Sequence, residues 1–155
     1  MNDSLANVTV YAANPSGTLN QAPLATITGS STGLGTPAGI ALDAAGNIYV
    51  ANTQANSITV YPPAPSGVLN EAPLATIAGS STGLNGPTGV AVDASGNIYA
   101  ANSAASTITV YPPSPSGTLN IAPLATIVAS STGLSGPFGI AVDTQGNIFV
   151  TTAGT

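Results

Sequence analysis

The stretch Gly-Ile-Ala-Leu-Asp-Ala-Ala-Gly-Asn-Ile-Tyr-Val-Ala-Asn, residues 39–52, decides the fold class of this chain. A small apolar run ends at Asp43, a turn containing Gly46 follows, and a second run with alternating side chains begins at Asn47. An aspartate before such a glycine suits a type I turn that the glycine closes in the left-handed region. The stretch therefore predicts a β-hairpin whose turn is capped by the Asp43 side chain.

The same stretch returns with a period of 50 residues and without a gap. Residues 58–100 and 108–150 are identical at 31 of 43 aligned positions. Periods of this length are typical of solenoids, propellers and repeat arrays. Recent duplication and deliberate design both explain such similarity, so a natural fragment and an engineered protein both stay open.

Each repeat contains four predicted strands, which in the first full repeat are residues 39–43, 47–52, 57–61 and 73–78. The second to fourth strands alternate apolar with polar or small residues, as a half-buried pleated surface requires. Helical spacing of apolar residues is not sustained, and Pro and Gly would interrupt a helix. The sequence therefore predicts an all-β protein whose blades each hold four antiparallel strands, as in a β-propeller.

The repeats predict a single domain over residues 1–155 with two full blades, at about 37–86 and 87–136. The chain begins with strands three and four of a blade (5–35) and ends with strands one and two (137–153). Propellers typically have about four to eight blades, so three blades per chain predict a homodimer closed head to tail into a six-bladed ring. A chain cut from a longer parent is the alternative, and we expect it to assemble in the same way.

Charged side chains are almost absent. The chain has no Lys, Arg or His, and its five acids make it 3% charged, against about a quarter in a typical soluble domain. Binding to nucleic acid or to an anionic membrane draws on Lys and Arg, so we expect neither partner. The absence of cysteine excludes disulfides and thiolate chemistry. No signal peptide is predicted, and the sequence leaves the compartment open.

The repeated pattern Pro-x-Gly-Ile-Ala-Val-Asp-x-x-Gly-Asn-Ile-Tyr-Val-Ala-Asn resembles the core of NHL repeats, and the resemblance covers nearly the whole chain. It implies a propeller, commonly six-bladed, that recognises proteins, RNA or ligands and in some branches has lyase or hydrolase activity. Lyase relatives depend on metal-binding histidines, which are missing here. The basic residue that the NHL pattern places after the second strand is also missing, from residues 52–58.

The residues predict neither an enzyme nor a cofactor. Acid–base catalysis usually needs histidine or a tuned pair of carboxylates, and the serines have no base to activate them. Three repeated acids, Asp43, Asp93 and Asp143, are weak candidates for a metal site because Ca²⁺ takes oxygen ligands. Capping of their own hairpin turns is the favoured interpretation.

Two functions are compatible with these residues. The first is a non-catalytic module that self-assembles into a symmetric closed ring and serves as a structural or interaction scaffold. The second is recognition of a neutral ligand, such as a glycan or a peptide, on the loop face of the propeller. The candidate ligand-binding residues on that face are Asn52, Thr88, Asn102, Ser103 and Phe138.

Overall fold

The computed structural model describes residues 6–14, 16–18 and 20–153, and these residues form short strands. One 3₁₀ turn, Ala129–Ser131, is the only helical element in this part of the chain, and no helix here is long and apolar enough to cross a membrane. The strands are β1 (Asn7–Val10), β2 (Ala25–Thr28), β3 (Pro37–Leu42), β4 (Ile48–Asn52), β5 (Ser57–Tyr61), β6 (Gly67–Leu69), β7 (Ala75–Ala78), β8 (Pro87–Val92), β9 (Ile98–Asn102), β10 (Thr107–Tyr111), β11 (Gly117–Leu119), β12 (Ala125–Val128), β13 (Pro137–Val142) and β14 (Ile148–Thr152).

Two complete blades lie in the middle of the chain. Strands β3, β4, β5 and β7 form the first as an antiparallel meander, and β8, β9, β10 and β12 form the second. The register between the second and third strands is the same in both blades, since Ile48 pairs with Tyr61 and Ile98 pairs with Tyr111. The predicted all-β fold with four antiparallel strands per blade is confirmed.

A short strand occupies the segment that the sequence predicts as a loop between the third and fourth strands. Strand β6 pairs in parallel with β2, and β11 pairs in parallel with β7, so each adds an outer strand to the blade before its own. The Gly117 N–H also donates to the Leu74 carbonyl, at 3.0 Å. The sheets therefore do not end at the repeat boundaries 37–86 and 87–136, because a short strand from each repeat pairs with the preceding blade.

The core lies between neighbouring blades. Ile58 and Ile77 on one blade and Ile98 and Tyr111 on the next form one fully buried cluster. The innermost strands also touch, because a Cβ added at Gly39 would lie 2.5 Å from the Thr88 carbonyl oxygen. A side chain at this position would therefore collide with the neighbouring blade, which explains the glycine that the first strands share.

Each end of the described chain carries only part of a blade. In the complete blades the second strand pairs with the third, as β4 does with β5 and β9 with β10. Among the described residues, β14 pairs only with β13, and β1 pairs with β2 but with no second strand. By comparison with the complete blades, β14 is thus a second strand without its third, and β1 is a third strand without its second.

Candidate functional site

The two open ends form the most distinctive surfaces of the molecule. At the N-terminal end, a groove of about 830 Å³ runs between β1, β3 and the segment Pro63–Pro65. Ile40 on its wall is 55% exposed, whereas Val90, one repeat later, is 4% exposed because the preceding blade covers it. We call this surface the N-terminal face and define it by Val10, Tyr11, Ile40 and Leu42, which line the groove.

The opposite end exposes the surface that would normally meet such a groove. Phe149 on β14 is 59% exposed, while Tyr49 at the same repeat position is 2% exposed in the core between blades. A second groove, of about 320 Å³, lies between β10, β12 and β14. We call this end the C-terminal face and define it by Gly139 and Phe149; Val150 points the other way, into the groove toward the preceding blade.

Glycine spacing shows the same difference at atomic scale. A Cβ on Gly89 would lie 2.5 Å from the Phe138 carbonyl oxygen of the next inner strand. A Cβ on Gly139 would meet only the Thr151 hydroxyl, at 3.0 Å, since no inner strand follows β13 in the described structure. Gly139 therefore occupies the position at which Gly89 contacts the next blade, but no blade lies against it in the described structure.

A tyrosine hydroxyl ties each internal blade to the one before it. The Tyr61 hydroxyl donates to the Thr32 carbonyl, and the Tyr111 hydroxyl donates to the Thr82 carbonyl, both at 2.7 Å. Burial raises the pKa of Tyr111 to about 12. Tyr11 occupies the same repeat position and is 61% exposed. The sequence gives no sign of this hydrogen bond, because its acceptor lies 29 residues away.

The repeated aspartates lie in their hairpin turns. Asp93 accepts the backbone N–H groups of Ser95 and Asn97, at 2.8 and 2.9 Å, and the Asn97 amide and Tyr99 hydroxyl, at 2.8 and 3.0 Å. Partial burial acts to raise the Asp93 pKa, but these donors outweigh it and hold the pKa below 3.8. Asp43 has the same arrangement.

Asp143 keeps the turn but lacks the hydroxyl donor, because Phe149 replaces the tyrosine. The amide of Asn147 and the backbone of the turn lower its pKa. Across residues 6–14, 16–18 and 20–153, no three His, Cys, Asp or Glu side chains group where they could hold a metal ion. The carboxylates thus act on their own turns, and a metal role for them stays a prediction.

Three of the five predicted ligand-binding side chains are hydrogen-bonded inside the fold. Asn52 and Asn102 are fully buried; the Asn52 amide donates to the Thr59 hydroxyl at 3.0 Å, and its oxygen accepts the Gly35 N–H at 3.0 Å. The Thr88 hydroxyl donates to the Pro137 carbonyl across a joint, at 2.9 Å. Ser103 is half-buried, and the Phe138 side chain is exposed. Among these five, Phe138 is therefore the one that offers a large free surface.

Solved structures with the same fold are β-propellers. The chain is similar to hydrazine synthase of Kuenenia stuttgartiensis, with a TM-score of 0.59 and 16% identity over 81% of this chain and 31% of that one. It is similar to a streptogramin B lyase, with a TM-score of 0.56 and 18% identity over 79% of this chain and 36% of the lyase. It is also similar to the aldose sugar dehydrogenase of Streptomyces coelicolor, with a TM-score of 0.52 and 14% identity over 94% of this chain and 43% of the dehydrogenase. The chain thus spans less than half of each of these proteins, and the likeness establishes the fold.

The prediction that the chain is not an enzyme is wrong, because the family profile that matches this chain is named in part for a gluconolactonase. That prediction rested on the absence of histidine and cysteine, which leaves other kinds of catalytic site open. No curated protein matches the sequence significantly. The NHL resemblance is confirmed as far as a propeller of repeated blades. The profile described as the SMP-30/gluconolactonase/LRE-like region matches residues 1–137, most of the chain, and the chain therefore belongs to this family.

Proposed function

We propose that the 155-residue chain is a half-propeller that works as a six-bladed ring closed by a second copy. The observation that carries this proposal is the complementarity of the two open ends. Strand β14 would pair with β1 of the second copy in the register that β4 keeps with β5, which sets Val150 opposite Thr9. Two composite blades would then complete the ring, each with one half from each copy.

The contacts between neighbouring blades inside one chain, the internal joints, supply the geometry of the seam, which is the contact between the two copies. Tyr49 packs in the core beside Val90, so Phe149 of one copy would pack beside Ile40 of the other. Burying a large apolar side chain contributes about 1.5–3 kcal/mol. Closing the ring would also pair two exposed sheet edges, which otherwise promote aggregation. The chain has no Lys or Arg to discourage that pairing.

Solution mass tests the ring. Light scattering after size-exclusion chromatography should give twice the 14.8 kDa chain mass across a range of concentrations. Phe149→Asp should shift the protein to the mass of one chain, because it would bury a carboxylate at each of two seams. Leu74→Asp is the matched control, since Leu74 is exposed on a complete blade outside the seam. A stable monomer of the parent chain, or equal masses for both variants, would contradict the proposal.

A second candidate function concerns what the ring binds. The family is named for a gluconolactonase, and the absence of Lys, Arg and His favours a neutral, hydroxyl-rich molecule over a charged one. We infer that the ring binds a sugar or a sugar lactone at the loop face, near Phe138. This inference narrows the glycan or peptide predicted from the sequence to one chemical class.

Lactone opening releases a proton and can be followed with a pH indicator. The dimer fraction should accelerate opening of a sugar lactone, or bind the matching sugar in calorimetry. Phe138→Ala should weaken either signal when it is compared with the parent at equal dimer concentration, a condition that matters because the matching residue Thr88 lies at a joint. Leu74→Asp again serves as the control. The absence of both signals in a confirmed dimer would contradict this second candidate and leave the ring intact.

A further inference from the structure

An asparagine side chain fastens each internal joint at its outer rim. Asn120 lies against Gly79 of the preceding repeat, and its Oδ1 accepts the Ser81 N–H at 2.8 Å. Asn70 does the same at Gly29, accepting the Ser31 N–H at 2.9 Å. Each asparagine follows directly after a parallel outer strand, so it anchors that strand to the blade it joins.

Glycine is required at this joint for two independent reasons. A Cβ on Gly79 would lie 2.5 Å from the Cγ of Asn120, so the amide occupies the space that a side chain would need. The backbone φ angles are +110° at Gly29 and +116° at Gly79, a conformation that L-residues rarely adopt. An alanine at this position would therefore fill the space that the asparagine amide occupies. It would also disfavour the backbone conformation that presents the serine N–H to that amide.

The third repeat has that alanine. Ala129 stands where Gly29 and Gly79 stand in the first two repeats, and it begins the 3₁₀ turn Ala129–Ser131. The change reaches the next hydrogen bond: the Thr82 hydroxyl donates to the carbonyl of Gly79, but the Thr132 hydroxyl donates to that of Val128, both at 2.8 Å. This turn is the one that would receive Asn20 of a second copy, the residue matching Asn120.

We propose that Ala129 removes the asparagine fastening from the seam, so that the ring separates between copies and not within a chain. This inference rests on the proposed ring. The seam keeps its strand pairing, its aromatic contact and its tyrosine hydrogen bond, but not the anchor at the outer rim. Ala129 is thus a specificity-determining residue that makes the contact between copies weaker than the contact between repeats.

Restoring the glycine tests this proposal. Ala129→Gly should tighten the dimer by roughly 5-fold to 100-fold, because a hydrogen bond of ordinary strength returns at each of two seams. Adding Asn20→Ala to Ala129→Gly should remove the gain, whereas Asn20→Ala alone should leave the parent dimer unchanged. The readout is the dimer dissociation constant from sedimentation equilibrium, with the melting temperature of each variant recorded to show that it folds.

The outcomes separate this inference from the ring itself. A parent dimer whose dissociation constant is unchanged by Ala129→Gly would contradict the inference and keep the ring. A parent dimer weakened by Asn20→Ala alone would do the same, because the fastening would then already exist. A monomeric parent that dimerises as Ala129→Gly would support the role of Ala129 while contradicting the ring for the parent chain. If the parent chain and Ala129→Gly are both monomers, the ring and the role of Ala129 are both contradicted.

Discussion

Replacing Gly139 by alanine should prevent ring closure while leaving each chain folded. In the described structure, the added methyl would meet only the Thr151 hydroxyl, at 3.0 Å, and that exposed side chain can turn away with the loss of the hydrogen bond it accepts from the Gly139 N–H. In the ring, Gly139 would lie against β3 of the second copy as Gly89 lies against β13. There a methyl would come 2.5 Å from a backbone carbonyl oxygen, as it would at Gly89. A backbone oxygen held in a sheet cannot move aside as a side chain can.

The magnitude follows from the number of seams. Overpacking by a methyl group costs about 1–3 kcal/mol at one site, and the ring contains two seams, so the dimer should lose about 2–6 kcal/mol. Since about 1.4 kcal/mol is tenfold in affinity, the dissociation constant should rise by roughly 30-fold to more than 10⁴-fold.

Sedimentation equilibrium measures that constant, and thermal unfolding at low concentration reports the single chain. Gly89→Ala is the matched control, because the same clash then falls inside one chain and should lower its melting temperature. Thr151→Ala is the second control, for the neighbouring hydroxyl. A Gly139→Ala protein that dimerises with the parent's affinity would refute the packing of β13 against β3 of a second copy.

Two further results are expected from the same hydrogen-bond patterns. Tyr11→Phe should weaken the dimer by roughly 5-fold to 100-fold, since one hydrogen bond of about 0.5–1.5 kcal/mol is lost at each of two seams. Tyr61→Phe should instead lower the melting temperature of the chain. A Tyr11→Phe variant with a lower chain melting temperature and a Tyr61→Phe variant with a weaker dimer would contradict the proposed seam. Acid should destabilise the fold through the turn carboxylates, because the folded-state pKa of Asp93 lies below 3.8: its contribution is complete above that pH and is lost as pH falls through the folded-state pKa. Asp93→Asn should therefore lower the melting temperature at pH 7 and flatten its decline as the pH falls below the usual range of an aspartate, and a decline as steep as the parent's would show that other groups control acid unfolding.

The candidate site was less predictable than the fold, and the residues show why. The buried amide of Asn52 looks in the sequence like a polar loop residue at the end of a strand. Its side-chain oxygen accepts an N–H that lies 17 residues earlier, and only the folded chain brings the two together. Phe149 likewise looks like an ordinary substitution for tyrosine, and its exposure depends on which blade follows it.

The sequence by itself determined the repeat, the hairpin at each Asp-x-x-Gly-Asn and the alternation of each strand. The hairpin and the alternation depend on residues within about ten positions of one another, where turn chemistry and side-chain alternation act directly. Only the tertiary structure decided that Gly117–Leu119 joins the blade before its own, and that Asn120 requires a glycine at position 79. Both contacts connect residues about forty positions apart. A three-residue strand has too little local preference to choose its partner, so packing between blades makes that choice.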